Sequence, residues 1–360
     1  MKNLFLILGL ALVLTTSAFA RDAVLDALVI QGKVTEEDIA AAEMEGPNNW
    51  MGAGYDIYIT GFVQPWFKWL DDGDPETAIG VRRARIKATG MLGDNWMFVV
   101  ETDLADGAAL RDVGVGYTYG EGTVKMGQCK VPLLWENMTN SGRLDTINRA
   151  EFAAELPIRD IGVFWEHSFL DGKVGAQAAV TNGEGQNATE LNDGKDYYVR
   201  VAAQPFMGSE NPADGLTVAG AYLNGSTEIF ELEGDEEVDV GEFDGEAWVA
   251  TVVWTWQQIK VQGEYVDGTQ DIPGGTMEGD GWYVYALYQM PMDTMTVIPV
   301  VKYETYDSNV IGMGGDWITL GVTLAFVGRH DVKLEANYIL EDLDVGEDVD
   351  ELILQLTANF

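Results

Sequence analysis

The sequence predicts an all-β protein: a sixteen-stranded antiparallel barrel that crosses a membrane. Three observations lead there. Segments with a two-residue period recur from Tyr55 to the last residue, and most have the 9–13 residues that a tilted strand needs to span a bilayer. The connections between them alternate between long and short. The composition agrees, with 42 glycines and 11% aromatic residues, since glycine breaks helices and aromatic side chains favour strands.

The first 20 residues stand apart. Lys2, the apolar run Leu4–Leu14 and Ala18-Phe19-Ala20 have the order of a cleavable secretory signal. No cysteine follows the cleavage site, so no lipid anchor is expected there. Residues 21–54 read as a short helical segment. Val24, Leu25, Leu28 and Val29 have helical spacing, Thr35 and Asp38 resemble a capping box, and Gly46-Pro47-Asn48-Asn49 ends it. A periplasmic appendage is expected, with a position inside a lumen as the other choice. The barrel takes residues 55–360.

Strands are expected near 55–69, 79–90, 95–104, 109–119, 122–131, 159–169, 173–182, 195–206, 215–226, 246–256, 258–268, 280–290, 294–305, 315–327, 331–340 and 352–360. The gaps after odd strands are mostly long: 70–78, 132–158, 183–194, 227–245, 269–279, 306–314 and 341–351. The gap at 105–108 is the exception. Gaps after even strands are short, except 207–214. That segregation is the layout of an outer-membrane barrel.

Alternation assigns the two faces. Trp248, Ala250, Val252, Trp254 and Trp256 share one face, as do Leu352, Leu354, Leu356, Ala358 and Phe360. These are expected to meet lipid. Trp66, Trp96, Tyr117, Tyr119, Trp317 and Tyr338 fall near strand ends and suit interfacial girdles. A last strand ending in Phe360 looks like the signal read by the barrel assembly machinery.

The charge is lopsided, with 59 acidic against 21 basic residues and a net charge of -38. Nucleic acid is excluded as a partner, because its phosphates would be repelled. A single cysteine, Cys129, excludes an internal disulfide and a cysteine-built zinc site. No cofactor is expected. Much of the acidity lies in the outward gaps: 227–245 holds nine acidic residues and no basic one. Such loops could bridge to lipopolysaccharide through divalent cations, but no calcium-loop spacing occurs, and solvated acidic loops are the plainer reading.

Two stretches then resemble a known family. Gly61-Phe62-Val63-Gln64-Pro65-Trp66-Phe67 and the run from Val81-Arg82-Arg83-Ala84-Arg85 to Gly93-Asp94-Asn95-Trp96 are similar to the phosphate-selective porins O and P. So are Leu110-Arg111-Asp112, Val124 to Pro132 and Arg159-Asp160-Ile161-Gly162-Val163. The resemblance covers roughly 61–165 and implies a sixteen-stranded homotrimeric channel for small, often anionic, solutes. Family members use lysine clusters and an arginine ladder in the pore. Only the Arg83/Arg85 neighbourhood matches that pattern, and Cys129 stands where the family more often has an aromatic.

The physics alone also yields a channel, because sixteen strands enclose a lumen wide enough for water. A charge on the lipid face costs about 2–4 kcal/mol near midplane. Arg83, Arg85, Lys87, Lys125, Arg200, Lys260, Lys302 and Lys333 are therefore expected to point inward. Arg83, Arg85 and Lys87 form a column at i, i+2, i+4, which offers anions successive weak sites. Two readings of that column stay open. Glu101 and Asp103, with Asp112, either neutralise it through ion pairs or leave it selective. The longest gap, 132–158, is the candidate constriction and carries Arg143 and Arg149; a surface helix with scattered charge is the other reading.

Three functions compete. A porin, anion-preferring or non-selective, is favoured. A surface adhesin or structural barrel would use the acidic loops instead. An outer-membrane hydrolase needs a nucleophile and base at one rim. Here His167 and Ser168 point to opposite strand faces, His330 lies in a turn, and no catalytic residue is assigned.

Overall fold

The computed structural model describes residues 49–52, 55–71, 75–105, 107–190, 192–233, 236–309, 314–346 and 348–360. The expected signal and residues 21–48 of the helical segment lie outside them. Asn49–Gly52, at the end of that segment, is a strand and not helix. It pairs antiparallel with Tyr55–Tyr58.

Sixteen barrel strands follow in chain order: β1 Tyr55–Leu70, β2 Thr77–Leu92, β3 Trp96–Asp103, β4 Ala109–Tyr119, β5 Gly122–Lys130, β6 Arg159–Phe169, β7 Val174–Thr181 and β8 Asp196–Ala203. The second half comprises β9 Leu216–Glu233, β10 Glu236–Trp256, β11 Ile259–Ile272, β12 Gly275–Tyr288, β13 Thr296–Ser308, β14 Gly315–Val327, β15 Val332–Leu343 and β16 Glu351–Asn359. Each pairs antiparallel with its chain neighbours, and β16 returns to β1 from Glu351↔Leu70 to Asn359↔Phe62. The sheet closes on itself and leaves no free edge along that seam.

The outer face is apolar as the alternation predicts. On β10, Trp248 is 56% and Val252 49% exposed, while Ala247, Val249, Thr251 and Val253 are buried inside. Trp248 stacks with Tyr222 near one end of the wall and Trp254 with Trp256 near the other. Eight residues of tilted strand separate Trp248 from Trp256, a height of roughly 20 Å, close to the apolar band of an outer-membrane barrel. Trp96, Tyr117, Tyr119 and Phe169 are also exposed and cluster at the short-turn end. Trp66 and Trp317 depart from the expected girdle. Trp317 is 7% exposed, donates to Glu341 Oε1 at 2.9 Å, and meets Trp66 in a cluster on the inner wall.

Two outward connections are not loops. Residues 227–233 and 236–245 continue as paired strand, as do 269–272 and 275–279, so β9–β10 and β11–β12 are long ribbons. The backbone ladder there runs on past the Trp248 belt of the wall.

The seam ends on a close contact. Gly61 N donates to the Phe360 carbonyl at 2.8 Å, and Phe360 N donates back at 3.0 Å. A Cβ at position 61 would strike the Phe360 ring and the Arg85 carbonyl. Gly61→Val should therefore cost about 1–3 kcal/mol by overpacking. A lowered melting point of the heat-resistant band on unboiled gels would report it; an unchanged one would refute the contact's role.

The lumen is filled in part by the connection 131–158. It contains one turn of α-helix, Trp135–Met138, and 3-10 turns at Ser141–Arg143 and Glu151–Ala154. Leu133, Leu134, Ala150, Phe152 and Ala153 pack on Val249, Val266, Tyr283, Tyr285 and Val300 of the inner wall. Ile147 packs on Trp317, Ile339 and Ile353. This segment is not a surface helix.

Candidate functional site

The inner wall is divided. Strands β9–β13 present apolar and aromatic groups, and the connection docks there. Strands β1–β5 present cations, and the docked segment meets them through hydrogen bonds, such as Gln64 Nε2 to the Ser141 carbonyl at 3.2 Å.

Two β-bulges concentrate those cations. Gln64 pairs with Arg83 but Pro65 pairs with Val81, so Arg82 is an extra residue on β2. Proline cannot donate to the ladder, and a bulge at that point re-aims the neighbouring side chain. Val81 points to lipid at 52% exposure, whereas both Arg82 and Arg83 turn inward. Arg82 donates to the Ile147 carbonyl at 3.0 Å and to Asn148 Oδ1 at 2.7 Å. Arg83 donates to Gln64 Oε1 at 3.1 Å. The second bulge sits between Val100↔Val113 and Thr102↔Leu110, and turns both Arg111 and Asp112 into the lumen.

The register settles the column. Arg85 lies opposite Asp103 and Lys87 opposite Glu101. Arg85 Nε donates to Asp103 at 2.8 Å and its Nη1 lies 3.7 Å from Glu101. Lys87 lies 3.7 Å from Glu101 and 3.5 Å from Asp112. Asp112 accepts from Arg159 at 2.7 Å, and Arg111 reaches Asp103 at 3.5 Å. The lower part of the column is thus an ion-pair network. Arg82 and Arg83 rest on neutral acceptors and keep their charge uncompensated by a contacting carboxylate.

The docked segment completes the arrangement from the other side. Lys130 Nζ donates to the Thr139 carbonyl at 2.8 Å, and Arg149 Nη2 donates to the same oxygen at 3.0 Å. Ser141 Oγ accepts from Arg85 and from Arg149, both at 3.3 Å. Burial lowers the Arg149 pKa to about 10; Glu136 opposes the shift, and Arg85, Arg159 and Arg82 add repulsion. Arg149 therefore stays charged at neutral pH.

Cavities lie on both sides of this crossing. One of about 600 Å³ is lined by Arg82, Arg83 and Arg149 together with Lys68, Glu341 and Glu351. Another of about 240 Å³ is lined by Lys87, Lys125, Lys130 and Asp112. The cations that bridge the segment to β1–β5 lie between these two cavities.

The other predicted residues are scattered. Lys125 pairs with Glu166 at 3.1 Å near the short-turn end. Arg143 is exposed on the docked segment. Arg200 lies 5.0 Å over the Trp135 ring and donates to Gln177. Lys260 clamps Asp145 at 2.7 Å, with Arg329 at 2.5 Å on the other oxygen. Lys302 is buried against Glu304 at 2.5 Å and Glu136 at 4.0 Å. Lys333 pairs with Glu335 at 2.8 Å and donates to the Leu144 carbonyl. Lys260, Lys302 and Lys333 hold the segment in place and stand apart from the cation cluster on β1–β5. Sequence reasoning missed Arg82, Arg111, Lys130 and Arg159. Pro65 facing an Arg-Arg pair was the available signal for the first, while the second bulge has no comparable mark. His167 lies on the outer face, ring-stacked with Tyr119 and Trp165.

The family model for phosphate-selective porin O and P matches residues 68–347. A search of curated proteins found no match. Among solved structures, the chain is similar to OmpT of Vibrio cholerae in its trimer form, at 13% identity and TM-score 0.62, covering 85% of this chain and 100% of that one. It is also similar to the anion-selective porin from Comamonas acidovorans (14% identity, TM-score 0.61, 85% and 100% coverage). The outer-membrane channel DcaP of Acinetobacter baumannii matches at 10% identity and TM-score 0.59, covering 87% of this chain and 100% of that one. At these identities the likeness is one of fold.

Proposed function

The chain belongs to the phosphate-selective porin O and P family and is a porin of the bacterial outer membrane, and from that premise we propose that it passes small anions in preference to cations. The carrying observation is a cation cluster, proposed here as the neck of the pore: Arg82, Arg83, Arg111, Arg149, Arg159 and Lys130 gather where the docked segment meets β1–β5, and cations outnumber the carboxylates that pair with them. Surplus positive charge in a narrow, low-dielectric neck raises the local anion concentration. The overall charge of -38 is a sum over the whole chain and does not set the sign of this local cluster.

A non-selective porin is the second reading, and the Arg85/Asp103 and Lys87/Glu101 pairing favours it. Reversal potential in a potassium chloride gradient separates the two. Anion preference is expected; a cation-selective or unselective wild-type channel would refute it. The same measurement has a predicted pH profile. The Arg149 charge is lost only as pH rises through about 10, so the difference in selectivity between wild type and Arg149→Ala should hold from pH 5 to 8 and shrink above pH 10. Adding phosphate against chloride tests whether the neck prefers the doubly charged ion.

The assembly proposed is a homotrimer, supported by the family and by the trimer form of the Vibrio cholerae relative. Residues 1–20 are proposed as a signal peptide and 21–54 as a periplasmic segment. Phe360 is proposed as the contact for the barrel assembly machinery, and the acidic ribbons as the face towards lipopolysaccharide, with divalent cations between. Among the described residues no group of three metal-ligating side chains comes together.

A further inference from the structure

A third cavity, of about 330 Å³, opens between the docked segment and strands β8–β13 at the long-connection end. Its chemistry is opposite to that of the arginine neck. No lysine or arginine lines it. Its walls are cleared by glycine: Gly225 pairs across the ladder with Gly245, and Gly268 with Gly279. Four inward positions on four adjacent strands therefore carry no side chain. Each clearing has a distinct result. The Asp196 carboxylate occupies the space a Cβ on Gly225 would fill, Gln270 occupies that of Gly245, and Tyr306 leans over Gly279. Gly268 is the least crowded of the four: the nearest atoms to a Cβ there are the Glu246 carbonyl at 3.2 Å and Ala247 Cβ at 3.5 Å, and the cavity lies beside it.

The remaining lining is largely apolar, with the neutral polar residues Ser226, Thr269 and Gln270 among it and acid at its margins. Leu156, Leu223 and Tyr306 are half-buried around the opening. Asp196 is 7% exposed and fixed, accepting from Tyr198 Oη at 2.9 Å and from Ser226 N at 3.2 Å. Glu155 is exposed on the docked segment at the rim. A pocket with an apolar body and fixed negative charge, free of competing cations, matches one ligand class by charge and by shape.

We propose that this pocket is a binding site for a small organic cation with an apolar body, such as an alkyl- or arylammonium ion. The apolar part lies in the clearing beside Gly268, against Leu156 and Leu223. The ammonium group faces Asp196 and Glu155. The site sits to one side of the arginine neck, so the mouth sorts solutes: anions go to the β1–β5 wall and amphiphilic cations to the β8–β13 wall.

The test is calorimetric titration of the full barrel in lipid nanodiscs with phenethylammonium chloride, and with phenylacetate as the anion of similar size. This readout does not depend on conduction, so it stands or falls separately from anion selectivity. Saturable binding of phenethylammonium, at least about threefold weaker in Glu155→Lys and lost in Gly268→Val, is expected. Glu155 is exposed on the segment, so its substitution leaves the fold intact if Gly268→Val does not. Absence of saturable binding, equal binding of phenylacetate, or unchanged affinity in Glu155→Lys would overturn the proposal.

Discussion

Replacing Arg83 and Arg149 together by alanine should lower the chloride-to-potassium permeability ratio at least about fivefold. At roughly 8 Å, and with an effective dielectric between about 20 and 80, one unit charge contributes about 0.5–2 kcal/mol to a passing ion. Two such charges reach about 1 kcal/mol at the lower bound, and 1.4 kcal/mol is a factor of ten. These two residues are the clean choice, because Arg83 donates to Gln64 and Arg149 to backbone carbonyls and Ser141. Their loss strands no contacting carboxylate. Arg85→Ala changes the net charge equally but also strips Asp103 of its 2.8 Å partner, so its effect on selectivity is mixed with a structural one. An unchanged reversal potential in the double variant would reject the assignment of the neck.

Asp145→Ala should free the docked segment from the wall. Asp145 accepts from Lys260 and Tyr285 on one oxygen and from Arg329 on the other. Removing it leaves two cations beside each other without their shared anion, at a cost of about 3–5 kcal/mol. Larger current noise in single channels is expected, together with new protease cleavage within 131–158. A quiet, uncleaved variant would show that the apolar docking around Phe152 suffices. The latch also has a pH signature. Burial raises the Asp145 pKa, but Lys260 and Arg329 outweigh it and hold the value at about 2. A carboxylate depressed below its usual value of about 3.9 stabilises the native arrangement above that value and loses the contribution as pH falls through 2. The channel should therefore stay quiet at pH 4 and become noisy only near pH 2, and Asp145→Asn should remove that transition.

The barrel was legible because lipid enforces it. Every strand that crosses the membrane must alternate, so all sixteen could be read from the two-residue period. The ribbons at 227–233/236–245 and 269–272/275–279 read as loops in the sequence because acidic residues and glycines crowd these stretches, while the backbone pairing that forms them leaves no pattern in residue type. Trp66 and Trp317 were misplaced because an aromatic near a strand end has two interfaces available, lipid or lumen, and composition does not choose. The cation column at Arg83, Arg85 and Lys87 was readable from its spacing. Its partial neutralisation was not, because register across β2–β3 decides which carboxylate faces which cation. Arg82 and Arg111 escaped for one reason: a bulge breaks the parity on which the inward assignment rests. The contact of Glu264 with the backbone N–H groups of Trp135 and Glu136, at 2.6 and 2.9 Å, joins segments far apart in sequence and leaves no local trace.

The ribbon formed by β9 and β10 bears on how the channel behaves in different media. Between Glu236 and Glu246 it extends the sheet by roughly 33 Å of strand contour beyond the Trp248 belt. Its acidic residues are therefore strung out along a line and not gathered at the mouth. The Debye length is about 8 Å at physiological ionic strength and about 30 Å at 0.01 M. In salty surroundings an arriving anion feels only the nearest charges of that line; in dilute surroundings it feels all of them at once. For the anion channel proposed above, such a ribbon is expected to act as a salt-dependent barrier, so that anion uptake rises with ionic strength at constant concentration of the permeant ion.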